Sequence, residues 1–374
     1  MKTKKHLIKH SFIIVLCLGL PVSAWAVVTG TCSNCHTMHN SQNGAPMNLN
    51  NSSAPNKLLT KGDCLGCHGT GGGNNIDPAT GAPQVLHTNA TDLAGGNFKY
   101  IETGGDNRGH NVVELGNTED TIPYAPGHIH QMNDYSGFTV NVSCAGRLGC
   151  HGTRQKVNGT YSGGNEALKG THHGNVDGKL DTADTAANSY RFLRGVKGYE
   201  NMGTFKWQNK DADNHNEYLG ATTPMNAIFG CTPCHVGEPP TGSIEPVNHT
   251  ISGFCATCHR DFHIVPAIGG DTTSPFTRHP TDVVLPNAGE YANYNQGNSK
   301  QYRVDAPVAR TTVPDSIGNT VTPGADVVMC LSCHVAHASN YPDMLRWDPS
   351  AIIAGNGTNN NGCIICHTQK DDGI

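Results

Sequence analysis

Cys32-Ser33-Asn34-Cys35-His36 opens a pattern that recurs at Cys64–His68, Cys231–His235, Cys255–His259, Cys330–His334 and Cys363–His367. Two cysteines one helical turn apart can each form a thioether to a porphyrin, and the His that follows then lies under the iron as its first axial ligand. Cys-x-x-Cys-His therefore reads as a c-type haem attachment site. The thioether residues are Cys32, Cys35, Cys64, Cys67, Cys231, Cys234, Cys255, Cys258, Cys330, Cys333, Cys363 and Cys366, and the proximal ligands are His36, His68, His235, His259, His334 and His367.

A seventh site keeps the Cys-His ending but places five residues between its cysteines: Cys144, Cys150 and His151. Attachment through both cysteines competes here with a Cys144–Cys150 disulfide and with a haem held by Cys150 alone. His151 favours haem. Zinc held by four thiolates is the alternative for the ordinary motifs, but zinc gives no reason for a His directly after every second Cys.

Residues 1–26 have the form of a secretory signal, with Lys2, Lys4, Lys5 and Lys9 before an apolar run and Ala24-Trp25-Ala26 at the cleavage position. A single multihaem domain over 27–374 is expected to follow. The apolar run is short for a membrane span, and none is expected later in the chain. Of the fifteen cysteines only Cys17 lies in the leader, so the other fourteen all belong to the seven motifs and none is left for a disulfide. An exported protein would use spare cysteines that way, so this allocation favours seven haems. Removing the four leader lysines leaves 21 basic against 30 acidic side chains, which does not suit nucleic acid or anionic lipid.

Only 36% of residues are hydrophobic and 45 are Gly, too little apolar mass for a conventional core of this length. Porphyrin supplies what is missing. The expected fold is a multihaem cytochrome c, mostly loop with short helices and little sheet, folded around its haems.

Outside the leader, twelve histidines remain beyond the seven proximal ones. That surplus predicts a second imidazole on each iron, with Met ligation a minor alternative. His39, His263 and His337 follow an attachment His too closely to reach the opposite face of the same haem, so they must serve a different one. Asp211, Asp213 and Glu217, and separately Asp177, Asp181 and Asp184, could bind calcium, but neither set has a complete loop pattern and solvated carboxylates are the better reading.

Several stretches resemble the OmcS-type outer-surface cytochromes of metal-reducing bacteria: Thr31–Ser41 with Cys-His-Thr-Met-His, Gly109-His110-Asn111-Val112-Val113, Cys255–His263, Arg278-His279-Pro280 and Cys330–Ser339. The likeness is scattered over most of the mature chain in the same order, specific at the His-bearing motifs and poor in the loops. It implies bis-His coordination, little regular secondary structure and, in some members, polymerisation into conductive filaments. By position it favours His39, His87, His110, His263, His279 and His337 as distal ligands. The pair His172-His173 is a natural source for the additional haem, with His128, His130, His215 and His249 in reserve. It also implies that His39 reaches a haem of the next subunit. The long Cys144–Cys150 loop and the additional Cys231–His235 depart from the hexahaem pattern.

These readings point to an exported electron carrier that is not an enzyme. Its partners would be redox cytochromes or an extracellular acceptor, with a homopolymer as one form. A discrete periplasmic shuttle is the alternative, and a reductase with one open haem near Cys144–His151 is a reading of another class.

Overall fold

The computed structural model describes residues 28, 30–70, 72–116, 125–126, 142–154, 156–157, 160–161, 163–168, 172–173, 193–199, 207–223, 249–259, 262–263, 279–296, 300–355 and 360–370. The leader, the Cys231–His235 motif, His128, His130, Asp177, Asp181 and Asp184 lie outside them.

Regular structure is brief. Among the described residues the longest helices are Lys99–Gly104 and Ile251–Ala256, six residues each, and the strands form five two-stranded ribbons. No described helix is long and apolar enough to cross a membrane. Gly-rich sequence with few aliphatic residues cannot sustain longer elements, so the helices appear where an attachment motif needs one turn: Cys32–Cys35, Cys64–His68, and 3-10 turns at Cys330–Ser332 and Gly362–Ile365. Asp63 starts the second of these by accepting the Gly66 N–H at 2.6 Å, an N-cap that satisfies a donor the short helix leaves open.

The core is divided rather than single. One cluster gathers Leu285, Tyr294, Tyr302, Val308, Val321 and Ile365 and packs on Cys366. A second holds Val196, Tyr218, Ile251, Ala309, Val327 and Met329. A third, Phe98, Ile101, Val112 and Ala338, packs on Cys144. Each is small, and two of the three touch an attachment cysteine, as expected where porphyrin completes the apolar mass.

A buried ionic network joins the middle of the chain to its C-terminal part. Arg310 donates to Glu217 Oε2 at 3.1 Å, to Asp326, and to the carbonyls of Gly318 and Thr320, both at 2.9 Å. Glu217 is fully buried and accepts the Gly318 N–H at 2.7 Å through its other oxygen. Burial raises the pKa of this carboxyl, but the His215 hydrogen bond and the Arg310 charge outweigh it and hold the value below the ordinary range.

Two attachment motifs share one local fold. At the first, His36 bridges Thr60, Thr37 N–H donates to the Leu59 carbonyl at 2.8 Å, and Lys61 N–H to the Cys35 carbonyl at 2.8 Å. At the motif beginning at Cys330, His334 bridges Leu345, Val335 N–H donates to the Met344 carbonyl at 2.9 Å, and Arg346 N–H to the Cys333 carbonyl at 2.9 Å. Both clasps carry two consecutive non-glycine residues at positive φ: Leu58 (61°) and Leu59 (58°), then Asp343 (57°) and Met344 (58°). Such backbone costs about 1–3 kcal/mol per residue. In both places it aims a carbonyl at the proximal imidazole.

Candidate haem sites

A carbonyl oxygen can only accept, so an imidazole nitrogen facing one must carry the proton, which leaves the other nitrogen unprotonated and able to bind metal. His36 Nδ1 meets the Leu58 carbonyl at 3.2 Å, His68 that of Pro83 at 2.8 Å, His259 that of Pro126 at 2.8 Å and His334 that of Asp343 at 2.7 Å. His110 and His279 do the same with Ala336 at 2.8 Å and Pro280 at 3.0 Å. In all six, Nε2 is the nitrogen available to a metal.

Five ring pairs share one separation. Centroids are 6.0 Å apart for His36 and His173, 6.3 Å for His68 and His172, 6.1 Å for His151 and His337, 6.2 Å for His110 and His259, and 6.1 Å for His279 and His367. Rings in direct face-to-face contact lie closer, as His215 and Tyr302 do at 3.7 Å. Two imidazoles bound to opposite sides of one metal at about 2 Å each stand roughly 6 Å apart between centroids. Each pair joins an attachment His to one of the remaining histidines, and the residues fit bis-imidazole haem. Burial lowers the pKa of His337 to about 3, and burial followed by the neighbouring His68 charge lowers that of His172 to about 4. Both rings are held in the neutral form that ligation requires.

The attachment cysteines follow a simple order. Cys35 acts electrostatically on Cys67, the Cys64 and Cys144 thiols lie within 4.8 Å of each other, Cys150 lies near Cys258, Cys255 lies near Cys330, and Cys333 lies near both Cys363 and Cys366. The six described motifs are thus neighbours in sequence order. At the first four junctions second cysteines meet second cysteines and first meet first in alternation. Cys144 occupies the place of a first cysteine in this alternation, and Cys150 that of a second. No described cysteine forms a disulfide.

The loose motif is built on strand, not helix. Ser143–Ala145 pairs in parallel with Gly149–His151 across a turn in which Gly146 has φ 101°, because five intervening residues are too many for one helical turn. Two side chains that no motif singles out hold it in place. Both carboxylate oxygens of Glu114 accept the Cys144 N–H, at 3.0 and 3.1 Å, and the carboxylate clusters with the thiols of Cys64 and Cys144. Arg154, buried, donates from Nε to the Gly149 carbonyl at 2.7 Å and from Nη1 to Thr257 Oγ1 at 2.9 Å, and lies 4.3 Å from the Phe254 ring centroid. It ties this motif to the one at Cys255–His259. No local spacing announces either contact.

Of the eight expected distal ligands, His110, His172, His173, His279 and His337 stand opposite an attachment His. The other three do not. His39 is exposed. His87 is buried, accepts the Asn89 N–H on Nδ1 at 3.2 Å and points Nε2 at Asp92, 3.8 Å away. His263, also buried, has Nδ1 3.0 Å from Thr281 Oγ1 and Nε2 3.1 Å from Asp282. Among the reserve, His215 has both nitrogens engaged, by the Asp211 carbonyl and by Glu217, and His249 receives Arg194. Among the described residues no ring faces His334. The calcium candidates Asp211, Asp213 and Glu217 do not converge: Asp211 Oδ1 accepts the Asp213 N–H in a tight turn, while Glu217 points into the Arg310 network.

The family model for a doubled CXXCH motif matches residues 323–372. The C-type cytochrome OmcS of Geobacter sulfurreducens is 26% identical over 380 aligned positions, covering 85% of this chain and 78% of that protein. The chain resembles this c-type cytochrome and carries a doubled CXXCH motif. Two solved structures, titled as the outer membrane cytochrome S filament and as OmcS nanowires from Geobacter sulfurreducens, match 93% of this chain and 93% of theirs at 20% identity. Their TM-scores are 0.44 and 0.46.

Proposed function

We propose that residues 27–374 form one domain of an exported seven-haem cytochrome that carries electrons outside the inner membrane between redox partners and an extracellular acceptor. The observation that carries this reading is the set of five His pairs at one separation, each built from an attachment His and a partner distant in sequence. Bound haem supplies a reversible ferric/ferrous couple at each site, and the protein sets axial donors, spacing and exposure. His36 with His173, His68 with His172, His151 with His337, His259 with His110 and His367 with His279 would hold the haem as imidazole pairs, with the attachment cysteines as its covalent anchors. Two imidazoles on an iron leave no position for substrate, which favours electron carriage over reduction of a bound oxyanion. His337 opposite His151 argues against an open iron at the loose motif. Intact mass of the mature protein, seven haems above the apo value, with low-spin spectra in both oxidation states, tests the reading. A count of six removes the Cys144–Cys150 site and leaves the rest.

The filament is favoured over the shuttle by two residues. His337 belongs to the Cys330 clasp and faces His151, which lies two steps back along the order of described motifs. His39 stands in the equivalent place on the first clasp, where no motif precedes it within the chain. Two steps back from the first motif, across a junction with another copy's last motif, lies that copy's His334. His39 of one subunit then completes the iron of His334 in its neighbour. OmcS, related to this chain in sequence, is solved as a filament, which is consistent with the same assembly here. Negative-stain images of secreted material test it: isolated particles whose irons are all six-coordinate overturn it.

A further inference from the structure

His367 differs from four other attachment histidines in what receives its Nδ1 proton. His36, His68, His259 and His334 donate to backbone carbonyls. His367 Nδ1 lies 3.3 Å from Glu290 Oε1. This carboxylate is fixed in place. Its side chain is only 12% exposed, its Oε2 is buried without a hydrogen-bond partner, and its backbone carbonyl accepts from Thr368 Oγ1 at 2.5 Å. Lys370 Nζ stands 3.7 Å from the same Oε1, largely in solvent. Tyr291 closes the ring's edge at 5.1 Å, and His279 faces it at 6.1 Å.

A carboxylate draws the Nδ1 proton more strongly than a carbonyl does, giving the imidazole imidazolate character and making Nε2 a stronger donor. Stronger donation favours the ferric state. So does a fixed negative charge in a partly desolvated setting, where Coulomb interactions are less screened than in water.

We propose that Glu290 is a positioning residue that lowers the reduction potential of the iron at the Cys363–His367 site through His367, so that electrons are biased away from this end of the line. The inference rests on the reading of Cys363–His367 as a haem site with His279 as its second ligand. Lys370 opposes Glu290 and moderates its effect.

The test is a spectroelectrochemical titration of the full holoprotein. In Glu290→Gln one component of single-haem amplitude shifts to more positive potential, the others stay, and its EPR g values move as His367 becomes a weaker donor. In Lys370→Ala, an exposed change that leaves the fold intact, the same component shifts to more negative potential at low salt, and the shift shrinks at high salt, which screens an exposed charge. Glu290→Asp, which restores the charge, returns part of the wild-type value. Haem-peptide mapping of the wild type decides separately whether Cys363 and Cys366 carry haem. If they do not, the site reading fails and this inference with it. If they do, an unchanged titration in Lys370→Ala, or in Glu290→Gln where that protein matures, overturns the role of Glu290 alone.

Discussion

His337 faces His151 at 6.1 Å, whereas His334, three residues earlier on the same clasp, faces no described ring. On the proposed reading one short segment serves two irons, anchoring one haem through His334 and closing another through His337. Replacing His337 with Ala should convert the iron at Cys144–His151 from low to high spin and leave attachment at Cys330–His334 intact. EPR of the oxidised variant, together with cyanide binding at one site per chain more than in wild type, checks this. A spectrum indistinguishable from wild type would break the His151–His337 pairing.

Cys144 takes the place of a first cysteine in the alternation of neighbouring thiols, held there by Glu114. Cys144→Ser should leave the third haem on Cys150 alone, with the pyridine haemochrome band of that one haem shifted towards single-thioether character. Glu114→Ala should produce the same species as a fraction of the preparation, because it releases the Cys144 N–H and removes a buried hydrogen bond worth about 1–3 kcal/mol to a charged acceptor. A normal doubly attached haem in Cys144→Ser would show that Cys144 is not an anchor.

On the filament reading, exposed His39 bears on assembly and not on folding. His39→Ala is expected to give soluble protomers with thermal stability within about 0.5 kcal/mol of wild type, and with the iron at His334 high-spin. Filaments that persist with every iron low-spin would end the proposed link between His39 and His334.

Acid should loosen the Glu217–Arg310–Asp326 network. The Glu217 carboxyl titrates below its ordinary value in the folded chain, so its contribution is complete above the unfolded value of 4.5 and is lost as pH falls through the lower folded value. Stability of the segments holding residues 215–220 and 308–328 should therefore fall below about pH 4.5, by no more than about 1.4 kcal/mol per unit of pH from this group. In Glu217→Gln the loss appears at neutral pH, roughly 3 kcal/mol for a buried pair with one member removed, and the acid dependence flattens. Hydrogen exchange of the Arg310 and Val327 amides against pH reads both effects. An acid profile unchanged by Glu217→Gln would reassign the sensitivity to another group.

Much of the site is legible in local spacing. Cys-x-x-Cys-His carries its chemistry within five residues, because both thioether anchors and the first axial ligand must lie within one turn, so proximity in sequence is proximity in space. Composition carries the fold class for a similar reason: a chain with little aliphatic mass and cysteines at close intervals has nothing but porphyrin to fold around. The surplus of histidines indicates the kind of second ligand. It does not indicate the pairs.

Distal ligation illustrates the limit. His110 meets His259 and His173 meets His36 across long stretches of chain, and nothing in either local sequence encodes a partner that only the folded backbone brings opposite. As sequence, His87 and His263 are no different from His110 and His279. The backbone buries Nε2 of the first two without a hydrogen bond, 3.8 Å from Asp92 and 3.1 Å from Asp282, and brings no described attachment ring opposite them. The Cys144–Cys150 loop can be recognised as an attachment site of unusual length, yet its strand pairing and its supports, Glu114 and Arg154, are contacts between distant segments. Sequence by itself pointed to the cofactor and to candidate anchors and first ligands, because these are local covalent chemistry. Tertiary structure alone decided which imidazoles stand opposite one another and which carboxylate leans on His367, because those depend on where a long, loop-rich backbone returns in space.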